Sequence, residues 1–313
     1  MNPALAYLMI FIAVTGHASS EFFAVLSGVQ GAEVSVWRYV IGAAGLLIVA
    51  LARPGTRDLW TPFRAEWKRL VPYSLIGISL AYLAFHWALD YATIVQVGTV
   101  VTTIPIFVGL INMIANRMPL GVTKIISGAA AITGVALLLT DGYLAQLASG
   151  NTSIYGILLA IACAGLASVY MVLAKPIITE YGMIRITAIS LVIGAAGLWI
   201  IVGLFWKIWV DPLSLFDKEP VAAWSLLTLG IWNTTITQVL WFGGLAAVPD
   251  ITRGSYLFFL KPVITALLAL AILAQPITAV QVIAIVVICS SVLIELFWNR
   301  ISRITGLGKT NAP

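Results

Sequence analysis

Long apolar stretches follow one another along almost the whole chain and are separated by short polar breaks. A stretch of about 20 apolar residues is enough for an α-helix to cross the hydrocarbon core of a bilayer. The pattern predicts transmembrane helices near residues 4–27, 33–52, 71–91, 94–115, 120–140, 154–174, 184–206, 222–245, 252–274 and 278–298. The sizeable loops are then 53–70, 141–153, 175–183 and 207–221. We therefore expect an all-α polytopic membrane protein with ten transmembrane helices.

The composition supports a membrane protein and excludes several other classes. Of 313 residues, 61% are hydrophobic and 9% are charged, whereas soluble domains carry about 25% charged residues. The net charge of +5 comes from basic residues in the loops rather than from a basic stripe with aromatics, so no nucleic-acid partner is expected. Cys163 and Cys289 both lie in apolar spans, which gives no disulfide framework. Two histidines without Cys or carboxylate at ligand spacing predict no metal site, and no other cofactor is expected.

Basic residues fall almost entirely on one side of the predicted spans. The breaks on that side hold Arg53, Arg57, Arg64, Lys68, Arg69, Arg117, Lys124, Lys175, Arg185, Arg253, Arg300, Arg303 and Lys309. The opposite breaks hold only Lys207 and Lys218. Because short cytoplasmic loops carry the excess of Lys and Arg, this asymmetry predicts that both termini are cytoplasmic.

Two pairs of prolines indicate an internal repeat. Pro105 and Pro119 are fourteen residues apart in and after the fourth span, and Pro262 and Pro276 have the same spacing at the ninth. Chance spacing is the alternative for any one pair, but five predicted spans lie on each side of the 141–153 loop. An odd number of spans in each repeat inverts the second repeat relative to the first. We expect repeat 1 at residues 1–149 and repeat 2, with a short cytoplasmic tail, at residues 150–313.

With these features the chain resembles the drug/metabolite transporter superfamily, in particular its bacterial ten-helix branch with two EamA-type five-helix repeats. The resemblance rests on "RYVIGAAGLLIVAL", "ALDYATIVQVGTVVTTIPIFVGLI" and "GLAAVPDITRGSYLFFLKPVITALLA". It implies export of small metabolites such as amino acids across the cytoplasmic (inner) membrane through a central cavity. The family usually has a Glu-Arg or Glu-Lys pair after the fourth and ninth helices, where this chain has Asn116-Arg117 and Ala274-Gln275.

Polar residues at helical spacing on several predicted spans are candidates for binding the substrate, because residues three and four apart share a helix face. Mid-membrane amides need partners in protein or cavity water, and aromatic residues are expected to shape the pocket. Ser and Thr residues also bond to their own helix or join neighbouring helices, which is the alternative interpretation for them. The candidates are Tyr82, His86, Thr103, Trp232, Asn233, Gln238, Trp241, Tyr256 and Lys261.

Two charged residues near the outer ends of the first two spans are expected at matching depth. Glu21 lies roughly 9 Å and Arg38 about 8 Å from the outer end of its helix, at 1.5 Å per residue. A structural Glu21–Arg38 ion pair is the simplest expectation, and proton exchange by Glu21 tuned by Arg38 is the alternative. His17 is a further candidate for proton handling, since histidine titrates near neutral pH, although a simple helix contact also explains it.

Lys261 lies near the middle of the apolar stretch "SYLFFLKPVITALLALAI". A lysine at this depth costs about 2.5–3.5 kcal/mol on insertion scales, and no acidic residue is predicted at the same depth. It is expected either to be neutral or to face a watery cavity and bind an anion, for which a carboxylate or phosphate on the substrate is suited. A bond to backbone carbonyls or to Glu21, and snorkelling to the interface, are the alternatives.

Pro105 and Pro262 are predicted to disturb their helices one turn back and to expose carbonyls near Val101 and Phe258. A plain packing kink is the alternative, because prolines are tolerated in membrane helices.

The residues predict a secondary transporter rather than an enzyme. No phosphate-binding Gly-x-x-x-x-Gly-Lys-Ser/Thr segment is present, so transport driven by ATP within this chain is excluded. The expected partners are a small, carboxylate-bearing substrate and the lipid bilayer, and no oligomeric state is predicted. A phosphorylated or other organic anion is the alternative substrate. An intramembrane enzyme is an alternative function, but it would need clustered acids or a nucleophile paired with a base. A channel-like facilitator is a further alternative.

Overall fold

The structure is a computed structural model that describes residues 2–92, 94–140, 154–273 and 277–305. Within these ranges the chain forms helices joined by turns, without a β-strand. The α-helices are α1 (Pro3–Leu26), α2 (Gly31–Ala52), α3 (Trp60–Ser74), α4 (Ala81–Ala88), α5 (Ile94–Val101), α6 (Ile104–Asn116), α7 (Val122–Thr140), α8 (Ile154–Tyr181), α9 (Met183–Phe205), α10 (Pro220–Gly230), α11 (Thr237–Ala247), α12 (Ile251–Ser255), α13 (Lys261–Leu273) and α14 (Ala279–Thr305).

The helices have the length and apolar character of a multi-pass membrane protein. In the described ranges, seven helical stretches are long and apolar enough to cross a bilayer: Pro3–Ala24, Gly31–Ala52, Trp60–Ala88, Ile154–Tyr181, Met183–Phe205, Ile251–Leu268 and Ala279–Trp298. Ile104–Asn116 and Val122–Leu138 are shorter apolar helices. Large apolar side chains point outward, such as Ile114 and Phe205 with 76% and 77% exposure. Lipid rather than water is the solvent that suits such a surface.

Two long helical stretches each contain a π-helical segment in the middle. Leu75–Leu80 joins α3 to α4, and Ile231–Ile236 joins α10 to α11. Thr234 in the second segment and Thr237 directly after it each donate a hydroxyl hydrogen bond to the carbonyl five residues earlier, at 2.8 and 2.7 Å. These bonds match the wider π turn, a distortion that occurs often at functional sites.

In two further helical stretches, the α-helix is interrupted just before a proline. α5 ends at Val101 and α6 begins at Ile104, with Pro105 in its first turn. The 3₁₀ segment Tyr256–Leu260 separates α12 from α13, which has Pro262 as its second residue. Each proline therefore stands at the start of a new helix, where its missing N–H costs nothing.

The halves of the chain pack reciprocally against each other. α1 packs against α11 and α4 against α8, whereas α2 packs against α9 and α7 against α14. Every one of these pairs joins an element before residue 140 to an element after residue 154. The largest fully buried side chains include Trp37, Arg38 and Tyr39 on α2 and Trp241 on α11. The interface between the halves thus runs through the core of the protein.

Two of the predicted loops contain helix. The 53–70 loop is helical from Trp60, where the Asp58 carboxylate accepts a hydrogen bond of 3.1 Å from the backbone N–H of Thr61. This contact satisfies a backbone donor at the helix start. The 175–183 loop is mostly the last turns of α8, and only Gly182, with φ of 94°, separates α8 from α9. The predicted repeat boundary at 149–150 lies outside the described residues.

A test of the packing between the halves uses Gly244 on α11. A Cβ at this position would lie 2.6 Å from Cγ1 of Ile10 and 3.0 Å from the carbonyl oxygen of Ala6, both on α1. Gly244→Ala should therefore lower the free energy of unfolding by about 1–3 kcal/mol through overpacking. Thermal unfolding of the purified protein in detergent measures the effect.

Gly98→Ala is the matched control, because a Cβ on Gly98 of α5 would meet no atom within 4 Å. It should keep or slightly raise the unfolding temperature, since Ala favours a helix over Gly. Equal unfolding temperatures for the two variants would contradict the predicted packing.

Candidate functional site

A small cavity lies at the interface between the two halves. Residues of α1, α2, α4, α8, α11 and α13 line it, and its volume is about 30 Å³. A water molecule needs about 10–15 Å³ of such volume, so the cavity holds about two waters and no metabolite. The described chain is therefore closed around its centre. The polar lining consists of His17, Ser20, Arg38, Tyr82, Cys163, Trp241 and Lys261.

Arg38 contributes a buried positive charge from α2, and only 1% of it is exposed. Its Nε donates to Oγ1 of Thr234 and one terminal nitrogen donates to the carbonyl of Asn233, both at 3.0 Å. Both acceptors belong to the π segment Ile231–Ile236. Among the described residues, only neutral acceptors contact the guanidinium, which stays charged in proteins. The π segment thus fixes the position of Arg38 without neutralising it.

Tyr39, Tyr82 and the amide of Gln238 stabilise the position of Arg38. The guanidinium carbon lies 5.5 Å from the ring centre of Tyr82 and 5.9 Å from that of Tyr39, within cation–π range. Nε2 of Gln238 donates to both phenol oxygens, at 2.8 Å for Tyr82 and 3.1 Å for Tyr39. Because Gln238 holds both hydroxyls, it fixes the rings that flank the guanidinium.

Lys261 brings a second cation to the cavity from the other half. It is the first residue of α13, directly after the 3₁₀ segment, and 6% of it is exposed. Its Nζ lies 5.7 Å from the ring centre of Phe85 and 5.8 Å from that of Phe258. Thr265, one turn further, donates to the carbonyls of Lys261 and Ala18 and so joins α13 to α1. The cavity therefore has one basic side chain from each half and aromatic walls.

His17 and Trp241 line the same cavity and contact each other edge to face, with ring centres 5.5 Å apart. His17 makes a second edge-to-face contact with Phe258, also at 5.5 Å. Nε2 of His17 and Nε1 of Trp241 have no hydrogen-bond partner among the described residues. An indole N–H can only donate, so Trp241 offers a donor at the cavity wall.

Other predicted site residues lie outside the cavity lining and join helices instead. His86 contacts the Ser35 hydroxyl at 2.7 Å through Nδ1. Asn233 donates to the carbonyl of Gly16 at 2.5 Å, and Trp232 donates to the Ser19 hydroxyl at 3.2 Å. These three contacts connect α4 to α2 and the second π segment to α1.

The remaining predicted residues fall in two places. The hydroxyl of Thr103 bonds to the carbonyl of Val100 at 2.6 Å in the turn before α6. The hydroxyl of Tyr256 donates to the carbonyl of Lys124 on α7, away from the cavity. Glu21 lies on α1, but its side chain is outside the described part of the structure, so the Glu21–Arg38 pair stays a prediction.

One end of the molecule carries polar contacts between the two halves. We call it the basic end; it comprises the end of α6, the start of α7 and the segment between α11 and α12. A second cavity of about 510 Å³ lies here, lined in part by Asn112 and Ile251. Ile104, Val108 and Asn112 follow at one-turn spacing on α6, and fully buried Val108 stands between the two cavities. Asn112 donates to the Thr252 hydroxyl at 3.3 Å, which joins the halves beside Val108.

Two ion pairs at the basic end were not foreseen from the sequence. Lys124 on α7 pairs with Asp250 at 2.6 Å, and Arg253 on α12 pairs with buried Glu295 on α14 at 3.3 Å. Asp is a typical residue for the start of a helix, and the Asp250 carboxylate accepts a hydrogen bond from the backbone N–H of Arg253. The sequence carries no signal that Asp250 pairs with Lys124 or that Arg253 pairs with Glu295, because the partners lie on different helices.

The Lys124–Asp250 contact is insensitive to pH near neutrality. Burial raises the pKa of Asp250, but the hydrogen bond and positive charge of Lys124 outweigh it and hold the pKa below its ordinary value. A carboxyl with a lowered pKa stabilises the fold above its ordinary pKa, and this contribution is lost only as the pH falls through the lowered value. The ion pair thus persists through the physiological range.

The described residues contain no group of three metal-ligating side chains.

Comparison with known proteins identifies the family. The sequence profile of the EamA-like transporter family matches residues 4–140 and 154–297. The chain belongs to the EamA-like transporter family. This confirms the resemblance to the drug/metabolite transporter superfamily, and the protein is therefore a membrane transporter.

Curated relatives from several microbes are similar over much of the chain. An uncharacterized transporter of Archaeoglobus fulgidus is 28% identical over 68% of this chain and 70% of its own. The uncharacterized transporter YyaM of Bacillus subtilis is 25% identical over 83% of this chain and 82% of its own. An uncharacterized transporter of Clostridium kluyveri is 23% identical over 94% of each chain.

A solved structure extends the comparison to the fold. One protein crystal structure superposes with a TM-score of 0.75 over 94% of this chain and 97% of its own, at 20% identity. At this identity the likeness concerns the fold alone. The arrangement of helices in this EamA-like transporter is therefore one that a known protein adopts.

The support of Arg38 by Gln238 leads to a test. Gln238→Leu keeps the size of the side chain but removes the donor from two buried tyrosine hydroxyls. The change should lower the free energy of unfolding by about 1–3 kcal/mol, the cost of leaving buried polar groups unsatisfied. Thermal unfolding in detergent measures it.

Gln30→Leu is the matched control, because Gln30 is exposed at the start of α2 and makes no capping hydrogen bond. Its unfolding temperature should stay close to that of the wild type. If Gln238→Leu is equally neutral, the Tyr39–Gln238–Tyr82 contacts do not stabilise the site.

Proposed function

We propose that this EamA-like transporter is a secondary transporter that moves small, carboxylate-bearing metabolites through its central cavity. The observation that carries the proposal is a small cavity between the halves, into which each half brings a buried basic side chain, Arg38 and Lys261. A buried charge inside a membrane protein is costly and typically marks a substrate or ion pathway. A carboxylate is the simplest group that offsets it.

The proposal includes ten membrane crossings in two inverted five-helix repeats. The reciprocal packing of α1 with α11 and of α8 with α4 supports it, as do the paired π segments and paired proline breaks. The family profile also matches on both sides of the 141–153 segment. Inverted repeats commonly place the substrate site near the membrane midplane where they meet.

We place the basic end in the cytoplasm, because Lys and Arg are concentrated in loops on that side. Both termini are then cytoplasmic, and the protein belongs to the cytoplasmic (inner) membrane. The 510 Å³ cavity is the cytoplasmic vestibule in this arrangement. Export begins when substrate enters the vestibule and passes Val108.

Transport follows an alternating-access cycle in which the repeats move against each other. Opening toward the cytoplasm requires the Asn112–Thr252 bond beside Val108 to part, and closing restores it. The Lys124–Asp250 and Arg253–Glu295 pairs connect α12 to α7 and α14. They make α7, α12 and α14 move as one unit, which preserves the geometry of the site during rocking.

Amino acids are the substrate class to test first, since exporters of the resembled branch carry them. Labelled amino acids are presented to proteoliposomes of the purified protein, with and without unlabelled amino acid trapped inside. Trapped substrate should stimulate uptake, because a carrier returns faster when loaded. Absence of stimulated uptake for amino acids and for organic acids, in folded protein, would overturn the carrier proposal.

Lys261→Met serves in the same assay. It should reduce stimulated uptake at least tenfold while membrane insertion and thermal unfolding remain close to wild type, since Met keeps the length of the side chain. Lys68→Met, at an exposed position on α3, is the control and should transport normally. Unchanged transport by Lys261→Met would show that Lys261 does not bind the substrate.

A further inference from the structure

We propose that the first turns of α3 form a binding surface for the headgroups of anionic phospholipids. The surface comprises Trp60, Arg64, Trp67 and Lys68, and we call it the interfacial face of α3. This role goes beyond the proposed function, from which it takes only that this end of α3 lies at the cytoplasmic leaflet. The length of the helix, the residues of the face and the charges around it support the assignment.

The helical stretch that begins with α3 is longer than the hydrocarbon core of a bilayer. It runs from Trp60 to Ala88 over 29 residues, which is about 44 Å at about 1.5 Å per residue. The hydrocarbon core is about 30 Å thick, so roughly nine residues extend beyond it. Residues 70–88 contain no Asp, Glu, Lys or Arg, whereas residues 60–69 contain four. The first turns of α3 therefore lie at the level of the lipid headgroups.

Two tryptophans and two basic residues share one side of these turns. Trp60, Arg64, Trp67 and Lys68 are spaced as i, i+4, i+7 and i+8, which places them on one helix face. All four are exposed, and Nζ of Lys68 lies 6.0 Å from the ring centre of Trp67. Buried Pro62 lies on the opposite side, and α3 packs against α8 and α9. Tryptophan is enriched at the headgroup level of membranes, so the face has the composition of a lipid contact.

The two acids of this segment each have a partner outside the interfacial face. The carboxylate of Asp58 accepts a hydrogen bond from the backbone N–H of Thr61 at 3.1 Å, and Glu66 pairs with Arg69 at 3.5 Å. Neither basic side chain of the face forms an ion pair with another described residue. A phosphate group at this level therefore meets positive charge that no carboxylate has neutralised.

Further positive charge borders the face. Arg57 is exposed in the loop before α3, and Arg185 at the start of α9 donates to the carbonyl of Gly55 in the same loop at 2.5 Å. A guanidinium recognises phosphate oxygens in pairs, and clusters of Lys and Arg beside a transmembrane helix attract anionic lipids. A zwitterionic lipid is attracted less, because its own cationic group is repelled.

A lipid fits this surface better than a soluble phosphate does. The exposed tryptophan rings contact a ligand that also brings acyl chains, and the helical stretch continues from the face into the hydrocarbon core. The same stretch passes through the first π segment into α4, which carries Tyr82 to the cavity. A bound headgroup thus fixes the depth of a helix that lines the cavity.

Native mass spectrometry of the purified protein in detergent tests the surface with two lipids that share their acyl chains. Palmitoyl-oleoyl phosphatidylglycerol is anionic, and palmitoyl-oleoyl phosphatidylcholine is zwitterionic. We expect the wild type to bind phosphatidylglycerol at least about fivefold more tightly than phosphatidylcholine. Because detergent exposes both ends of the protein, the result depends neither on its orientation in a membrane nor on transport.

Paired variants locate the effect. Arg64→Gln/Lys68→Gln should lower the preference for phosphatidylglycerol to less than about twofold, because it removes both charges of the interfacial face. Arg117→Gln/Lys207→Gln removes the same charge from exposed positions outside the face and should keep the preference. Since all four positions are exposed, both variants should unfold near the wild-type temperature in lipid-free detergent.

Equal affinities for the two lipids in the wild type, or an unchanged preference in Arg64→Gln/Lys68→Gln, would overturn the inference. Displacement of bound phosphatidylglycerol by an equal concentration of glycerophosphoglycerol, its headgroup without acyl chains, would also overturn it, because the ligand would then be a soluble phosphate. Stimulated uptake into proteoliposomes tests the carrier proposal separately, so the two failures are distinguishable.

Discussion

A positive charge buried in a membrane protein has to be held by dipoles and rings or neutralised by an anion, and this constraint organises the centre of the transporter. Arg38 is held by the hydroxyl of Thr234 and the carbonyl of Asn233. Both belong to the π segment Ile231–Ile236, where the wider turn lets a main-chain carbonyl bond outside its own helix. Gln238, one turn on, fixes the two tyrosine rings beside the guanidinium. The π segment, the amide of Gln238 and the two tyrosines thus all stabilise the charge of Arg38.

The same constraint explains why both halves meet at the cavity. Arg38 and Lys261 enter it from different halves, so in the proposed function an anionic substrate between them contacts both halves at once. In the proposed cycle, closing the cavity removes water from these two side chains, and the bound substrate offsets that loss. Substrate binding would then be coupled to movement of the two halves by electrostatics. The Lys124–Asp250 pair at the basic end persists at neutral pH, and together with the Arg253–Glu295 pair it connects α12 to α7 and α14.

The sequence predicted an all-helical, multi-pass membrane protein because the length of an apolar stretch is a local signal. Lys261, Pro105 and Pro262 could be singled out as candidates from the sequence, since each departs from an apolar pattern by itself. Hydrogen bonds such as Arg38 to Asn233 or Gln238 to Tyr39 join residues almost 200 positions apart, and packing alone decides them. The π segments have no residue signature, and the partners of Asp250 and Glu295 lie on other helices. The sequence therefore indicated Glu21 as the partner of Arg38, a pair that stays a prediction, and carried no signal for the contacts of Arg38 with the π segment.

The positive potential of the cavity is the central claim, and Cys163 on its wall reports on it. In Cys289→Ser, Cys163 is the sole cysteine, because the chain contains two. Its rates of modification by anionic sulfonatoethyl and cationic trimethylammonioethyl methanethiosulfonate are measured in proteoliposomes and divided by the rates of a small thiol in solution. The account predicts a normalised rate at least tenfold higher for the anionic reagent, falling toward parity in Arg38→Gln. A cationic reagent that reacts equally fast or faster at Cys163 would contradict a positive potential in the cavity.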